Sequence, residues 1–393
     1  MKTYSGNQSF LKELNINSAL RIIRSKKIIS RAEVAETLGL NRSTLTSIAN
    51  ELIGQQLVKE IGTGVSKGGR PPKLLQFNTD AAYTVCVDWS AFKAKVFITD
   101  LGGEICLSET VESHADESYG VQIKKVIDII SKGLASLPKR HLGLLGIGIG
   151  VPGVIEDGMV SSYTLNWIRV PLLGYFTDVF QCPVIINTDA TTGLIAEKYF
   201  GCAVGEHNVC YIRVGKTLGA SLMINGEIYQ GSEGFSGRVG HSTIDQNGRK
   251  CTCGNRGCLE AYASERALMQ RYAEISGDSA SGVLTDIPEI IKRAKRSDPG
   301  AISALHEFAE YLGIGISNVV NLLNPHLIII NNSSGLMDNL VYNSLIAVMN
   351  QKILPLLRRN IRVQFSTLGE NDMTLGATAM VLDKIFYIPN VKP

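Results

Sequence analysis

Apolar positions in the first fifth of the chain recur at helical spacing and then switch to alternation. Over residues 17–27, Ala19, Leu20 and Ile23 share one face, and the segment ends in a basic turn that suits the negative end of a helix dipole. Ser30 and Glu33 stand at capping-box spacing ahead of the stripe Val34, Ala35 and Leu38, and Gly39 supplies the stop. A third helix starting at Asn41 turns Leu45, Ala49, Leu52 and Ile53 inward. Arg42, Ser43, Thr44, Thr46, Ser47 and Asn50 remain polar around its first turns. The period then falls to two, so residues 57–61 and 73–78 read as strands joined by a glycine-containing loop. This order predicts a winged helix-turn-helix over residues 1–78, with the third helix in a DNA major groove. Arg42, Ser43, Thr44, Thr46, Ser47 and Asn50 are then candidate groove contacts, and Lys67, Arg70 and Lys73 candidate contacts to phosphates or a narrow minor groove.

Beyond Asn78 the pattern is that of an α/β body. Short strands at 83–89, 94–99 and 104–109, the last two joined by a Gly102-Gly103 turn, precede an amphipathic helix at 121–137. A glycine-rich buried strand at 144–150 and a strand at 184–187 follow, the latter running straight into a helix at 190–200. Further helices are expected at 264–275, 287–296, 302–323 and 375–385, with a buried strand at 327–330. Asp88 and Asp189 fall at strand C-terminal ends, where open α/β sheets carry functional groups. The apolar stretch 308–320 reads as core or dimer surface.

Charge sharpens the division. Residues 1–80 hold twelve basic and six acidic side chains, whereas the whole chain is only +3, so the body is slightly acidic. A basic head on such a body fits a nucleic-acid module. No apolar run approaches the roughly 18 residues of a membrane span, and the polar N-terminus lacks a signal-peptide core, so the expected location is the cytoplasm, with no membrane partner. Of eight cysteines, Cys86, Cys106, Cys182, Cys202 and Cys210 are scattered and are expected as small core residues in a reducing compartment.

The other three are not scattered. Cys251, Cys253 and Cys258 share one polar, glycine-rich loop with His241 ten residues upstream, a donor set suited to tetrahedral zinc. Gly254 and Gly257 allow the tight bends that let the sulfurs converge. With all four positions supplied by protein, the expected zinc is structural rather than catalytic.

Three segments together resemble the ROK family of repressors and sugar kinases, whose fold is that of the sugar-kinase and actin superfamily. They are G-S-E-G-F-S-G-R-V-G-H (Gly231 to His241), the C-T-C-G-N-R-G-C-L-E loop, and N-T-D-A from Asn187. The resemblance spans nearly everything after residue 80, and with the head it points to the repressor branch, nearest in wording to repressors of xylose operons. It implies two lobes, 79–187 and 188–374, with the helix within 375–393 returning to the first and a ligand cleft between them. It also implies that His241 and Glu260 face a sugar and that Asp189 occupies the catalytic-base position. Thr188, Asn166 and Arg238 fall at further sugar-side positions.

Several positions depart from the family pattern. The first phosphate loop reads Asp88-Trp89-Ser90-Ala91-Phe92-Lys93, the second Gly215-Lys216-Thr217-Leu218-Gly219, and the late Gly-Gly has become Asn331-Asn332-Ser333-Ser334. Backbone amides in such turns must approach phosphates closely, so these changes argue against phosphoryl transfer. Arg238 replaces the family's glutamate and Thr188 its asparagine. A guanidinium there favours an anionic ligand, unless it turns outward or pairs with Glu233 or Glu260.

The expectation is therefore a non-enzymatic, sugar-responsive repressor of a carbohydrate operon that binds operator DNA as a homodimer, with pairing into tetramers left open. Its rivals are an ATP-dependent sugar kinase with an accessory DNA-binding head and a regulator controlled by a protein partner.

Overall fold

Ala19, Leu20 and Ile23 are buried along α1 (Gln8–Lys26), as their spacing requires. The computed structural model describes residues 8–64, 71–91, 93–114, 117–277, 285–332, 334–336 and 338–386. Lys67 and Arg70 of the expected wing lie outside the described residues, as do Phe92 and Ser333. A short strand not anticipated from the pattern, β1 (Ile28–Ser30), leads into α2 (Arg31–Leu38). The capping box is formed: the Glu33 backbone N–H donates to Ser30 Oγ at 3.2 Å, and the Ser30 N–H to Glu33 Oε2 at 2.9 Å. Gly39 ends α2 in the left-handed conformation, and α3 (Arg42–Gly54) starts on an Asn41 cap. The buried face of α3 is Leu45, Ile48, Ala49 and Leu52, whereas Ile53 is only half-buried. Strands β2 (Val58–Thr63) and β3 (Lys73–Phe77) join β1 in an antiparallel sheet of order β1-β3-β2.

The body begins with β4 (Tyr83–Ser90), β5 (Lys93–Thr99), β6 (Ile105–Glu112), α4 (Tyr119–Ser136) and β7 (Leu144–Val151). A small antiparallel sheet of β8 (Val154–Glu156), β9 (Met159–Ser162) and β10 (Trp167–Val170) precedes α5 (Leu172–Phe180), β11 (Val184–Thr188) and α6 (Asp189–Phe200). The first five-stranded sheet has the order β11-β7-β4-β5-β6, parallel through β4 and antiparallel beyond. Next come β12 (Val209–Val214), β13 (Leu218–Ile224), β14 (Glu227–Tyr229), α7 (Glu260–Ala263), α8 (Glu265–Ser276) and α9 (Ile287–Lys295). The chain finishes with α10 (Pro299–Leu323), β15 (Leu327–Ile330), α11 (Asn339–Lys352), β16 (Arg362–Phe365) and α12 (Asp372–Ile385). The second sheet repeats the first in its order β14-β13-β12-β15-β16.

Each sheet carries its own core, one around Val85, Ile98, Ile123 and Ile149, the other around Ile212, Leu305, Ile316 and Ile330. The two halves meet where α12 packs along α6 and against β4 and β7. The head is not a loose tether, because its core of Leu45, Leu52 and Leu75 continues into Ala81, Leu101 and Leu382 of α12.

Several expected bounds shift. Helix α10 starts at Pro299 rather than 302, because Asp298 accepts from the Ala301 N–H and proline fits the first helical turn. Helix α12 starts at Asp372 rather than 375. Among the scattered cysteines, Cys86 and Cys210 are buried, but Cys106 is exposed and Cys182 and Cys202 are half-buried. Cys106 lies on β6, the sheet's edge strand, which is mostly exposed. Among the described residues, no helix is long and apolar enough to cross a membrane.

Candidate ligand cleft, cysteine–histidine cluster and head

The loop after β14 brings His241, Cys251, Cys253 and Cys258 together, their ligand atoms all within 4.8 Å of one another. His241 Nδ1 lies 3.8 Å from Cys251 Sγ, and Cys253 Sγ 3.7 Å from Cys258 Sγ. Backbone geometry makes this possible: Gly254 and Gly257 have φ of 98° and 71°, and a side chain on Gly257 would collide with the Asp245 carbonyl. Burial and the adjacent Cys253 and Cys251 push the Cys258 thiol up to about 12. A cation is the natural partner for such crowded sulfurs, so the donor set could hold a metal ion.

Glu260 opens α7 directly behind this loop and is only 4 % exposed. Its Oε2 accepts from the Leu218 N–H at 3.0 Å and its Oε1 from the Thr252 hydroxyl at 3.3 Å, with Cys251 Sγ 4.0 Å away. The carboxylate thereby joins the cysteine loop to the turn before β13.

Asp189 is the first residue of α6, immediately after β11, and Thr188 caps that helix by accepting from the Thr191 N–H at 3.1 Å. Asp189 Oδ1 accepts from the Ala190 N–H at 2.8 Å, and its Oδ2 lies 3.4 Å from Arg213 Nε. Arg213, on β12, also donates to Asp372 Oδ2 at 2.6 Å, an oxygen shared with the Tyr211 hydroxyl at 2.9 Å. Despite the burial, these carboxylates hold the Arg213 pKa well above its ordinary value. Asp88 faces the same group, and burial raises its carboxyl, Asp189 and Asp372 adding to the shift while Arg213 opposes it. Sequence reasoning singled out Asp88 and Asp189 but missed Arg213 and Asp372, which are remote from both along the chain.

A cavity of about 170 Å³ opens beside Thr188, lined by Ile155, Asn187, Thr191, Gln230 and Ser236 among others. Arg238 lies two residues beyond Ser236, and its charge reaches Asp189. Its Nε and Nη2 are buried without hydrogen-bond partners. Asn166 is exposed in the turn before β10, at φ 55°.

Described residues of the three turns that depart from the family pattern are engaged within the chain. Trp89 is 2 % exposed and packs edge-on against Trp167, with ring centroids 5.0 Å apart. Strand β4 runs through that position into a tight hairpin, pairing Ser90 with Lys93. The Leu218 amide of the second turn is held by Glu260, and the Asn331 side chain accepts from the Val214 N–H.

On the head, Arg42, Ser43, Thr46, Ser47 and Asn50 project from α3 as exposed residues, while Thr44 is half-buried. Asn50 Oδ1 accepts from Arg31 Nη1 at 3.1 Å, and Arg31 Nη2 reaches Glu60 Oε2 at 2.9 Å. Lys73 Nζ is 2.6 Å from Glu60 Oε1. A second cavity, of about 180 Å³, separates α1 from the body between Arg21, Arg24, Tyr199 and Asp383.

Two five-stranded sheets of matching order, each with its own core and joined by a shared pair of helices, define a sugar-kinase-like α/β body carrying an appended N-terminal unit. The ROK family model matches residues 84–384, and the chain belongs to the ROK family. It is 37 % identical to the xylose repressor of Bacillus spizizenii over 97 % of this chain and 98 % of that protein. A crystal structure of a ROK family transcriptional regulator, a homologue of the Escherichia coli MLC protein, superposes with TM-score 0.81 at 26 % identity, covering 96 % of this chain and 97 % of that one. A ROK glucokinase from Streptomyces griseus covers only 76 % of this chain, at TM-score 0.68 and 22 % identity, and shows the body fold alone.

Proposed function

We propose that this protein is a sugar-responsive, DNA-binding repressor of a carbohydrate-utilisation operon and has no phosphotransferase activity. The observation that carries this reading is an asymmetry in the body. Trp89, Glu260 and Asn331 tie off the nucleotide turns, while the cleft beside Thr188 stays open. Asp189, at the catalytic-base position, lies with its Oδ2 3.4 Å from Arg213 Nε, inside a cluster that also holds Asp372. Full-length similarity to a protein named a xylose repressor supports the same reading and makes a pentose the first effector to try.

In this proposal residues 1–78 form a winged helix-turn-helix. Helix α3 offers Arg42, Ser43, Thr44, Thr46, Ser47 and Asn50 to a major groove, and the wing residues Lys67, Arg70 and Lys73 contact phosphates. DNA phosphates would compete with Glu60 for Lys73 and Arg31. Residues 79–187 and 188–374 form the two lobes, with α12 returning to the first. His241 and the three cysteine sulfurs would hold a structural zinc ion, and His241 would also face a sugar hydroxyl. Thr188, Asp189, Arg238, Glu260 and Asn166 supply the remaining ligand contacts. A homodimer presents two heads to two half-sites.

Helix α6 is the proposed route between ligand and head. Its first turn borders the cleft, and at its far end Tyr199 donates to Asp383 Oδ2 at 2.6 Å beneath the guanidinium of Arg24 on α1, 4.9 Å from the ring centroid. Ligand that favours one lobe angle would shift that joint and, through the dimer, the spacing of the heads.

Gel-shift titration of the purified protein on its own upstream DNA, at stated salt and with a panel of sugars, tests the proposal. Operator binding relieved by a sugar is the expected result. Sustained ADP formation from ATP and a sugar, abolished in Asp189→Asn, would establish the kinase reading instead. Release only by an added protein partner would establish control by that partner.

A further inference from the structure

We infer that the effector is an anionic sugar derivative, bearing a carboxylate or a phosphate that Arg238 receives. This rests on the effector-cleft reading above and names the ligand class.

Arg238 sits at the start of the short turn Val239–His241, between Ser236 on the cleft wall and the cysteine-loop histidine. Two of its nitrogens, Nε and Nη2, are buried and unbonded. Both carboxylates that could have neutralised it locally fail to do so. Glu260 is held by the Leu218 N–H and the Thr252 hydroxyl. Glu233 is exposed and makes no ion pair with it. Asp189 is an opposite charge that Arg238 feels, yet one of its oxygens serves the Ala190 N–H and the other lies against Arg213.

A half-buried guanidinium with two buried, unmet nitrogens is poorly satisfied by neutral hydroxyls alone, because a hydroxyl brings a dipole and not a charge. A carboxylate or phosphate brings both the charge and the acceptor pair that the planar guanidinium matches. Burial holds the Arg238 pKa below its ordinary value, with Asp189 opposing the shift, and arginine remains protonated at neutral pH. The cavity wall itself, with Thr188, Thr191, Gln230 and Ser236, offers hydroxyl and amide groups suited to a polyol, and Arg238 follows Ser236 by two residues. Together they describe a ligand with hydroxyls on one side and an anion on the other.

Isothermal titration of the full-length protein with a neutral pentose, the corresponding pentonate, a pentose 5-phosphate and inorganic phosphate tests the inference. One of the two anionic sugars should bind at least about tenfold more tightly than the neutral pentose, the arm that wins identifying carboxylate or phosphate. Arg238→Ala should remove that preference, and Arg238→Glu should reverse it, with unchanged melting curves showing that both variants are folded. Equal or tighter binding of the neutral pentose by the wild type, or an anion preference that survives Arg238→Ala, overturns the inference. So does inorganic phosphate that binds as tightly as the sugar phosphate. The gel shift separates the two levels. A neutral pentose that releases the operator with Arg238→Ala unaffected sinks the anion inference alone. Failure of every sugar both to bind and to release DNA sinks the effector reading with it.

Discussion

Asp88 illustrates how one residue's chemistry changes when its loop changes. In the closed hairpin it faces Arg213, Asp189 and Asp372, and burial raises its carboxyl above the ordinary value. A raised folded-state pKa contributes stability that is fully present below the unfolded value, near ~3.9 for aspartate, and is lost as pH rises through the folded value. Asp88→Asn should therefore raise the melting temperature at pH 7.5, with the gain shrinking towards zero near pH 4. Melts of both proteins across that range check this, and a loss at pH 7.5 would mean that attraction to Arg213 outweighs burial. Gly237 makes a second residue-scale prediction. At φ 78°, with the Ala220 carbonyl where a Cβ would stand, Gly237→Ala should cost ~1–3 kcal/mol in chemical denaturation. The identities of Asp88, Asp189, Glu260, His241 and the three cysteines were legible in the sequence as residues for a site. Their partners Arg213 and Asp372 were not, because contacts between residues far apart in the chain leave no periodicity in it.

At the scale of elements, the helices of the head were the most legible, since capping residues and a 3.6-residue period act locally. The sheet β8-β9-β10, strands β12 to β14 and helix α11 escaped, because short strands and a weakly amphipathic helix acquire their meaning from what they pack against. Helix α6 was visible as a helix, but its span from cleft to head was not. If it is the link, Tyr199→Phe should leave sugar affinity within about twofold while raising the sugar concentration needed to release operator severalfold. Titration calorimetry and gel shift on the same preparation would reveal equal changes in both if Tyr199 merely stabilises the fold. In α3, Leu45→Ala removes a fully buried side chain and should cost ~2–5 kcal/mol, lost from a core that runs on into α12.

For the whole molecule, the basic head predicts strong salt dependence. Operator affinity should fall linearly on a log–log plot against salt, and Lys73→Ala should lessen the slope by about 1. Metal content offers a separate check. One zinc ion per chain is expected, and chelation or Cys258→Ser should lower the melting temperature and weaken sugar binding together, since Glu260 and His241 hang on the same loop. Elemental analysis that finds no zinc, or a chelated protein with unchanged melting, would remove the metal from this account.

Sequence alone determined the features that short-range physics dictates: the capped helices of the head, the α/β alternation, and four soft ligands on a glycine-rich loop. It also exposed the altered phosphate turns, because a tryptophan or asparagine cannot replace glycine where a backbone must approach a phosphate. Tertiary structure alone decided what engages those turns: Trp167 packs on Trp89, Glu260 accepts from the Leu218 N–H, and Asn331 accepts from the Val214 N–H. It also decided the state of Arg238. Nothing in the order of residues tells whether a guanidinium finds a carboxylate, whereas the fold holds Glu260 and Asp189 to other partners and leaves two nitrogens of Arg238 buried and unmet.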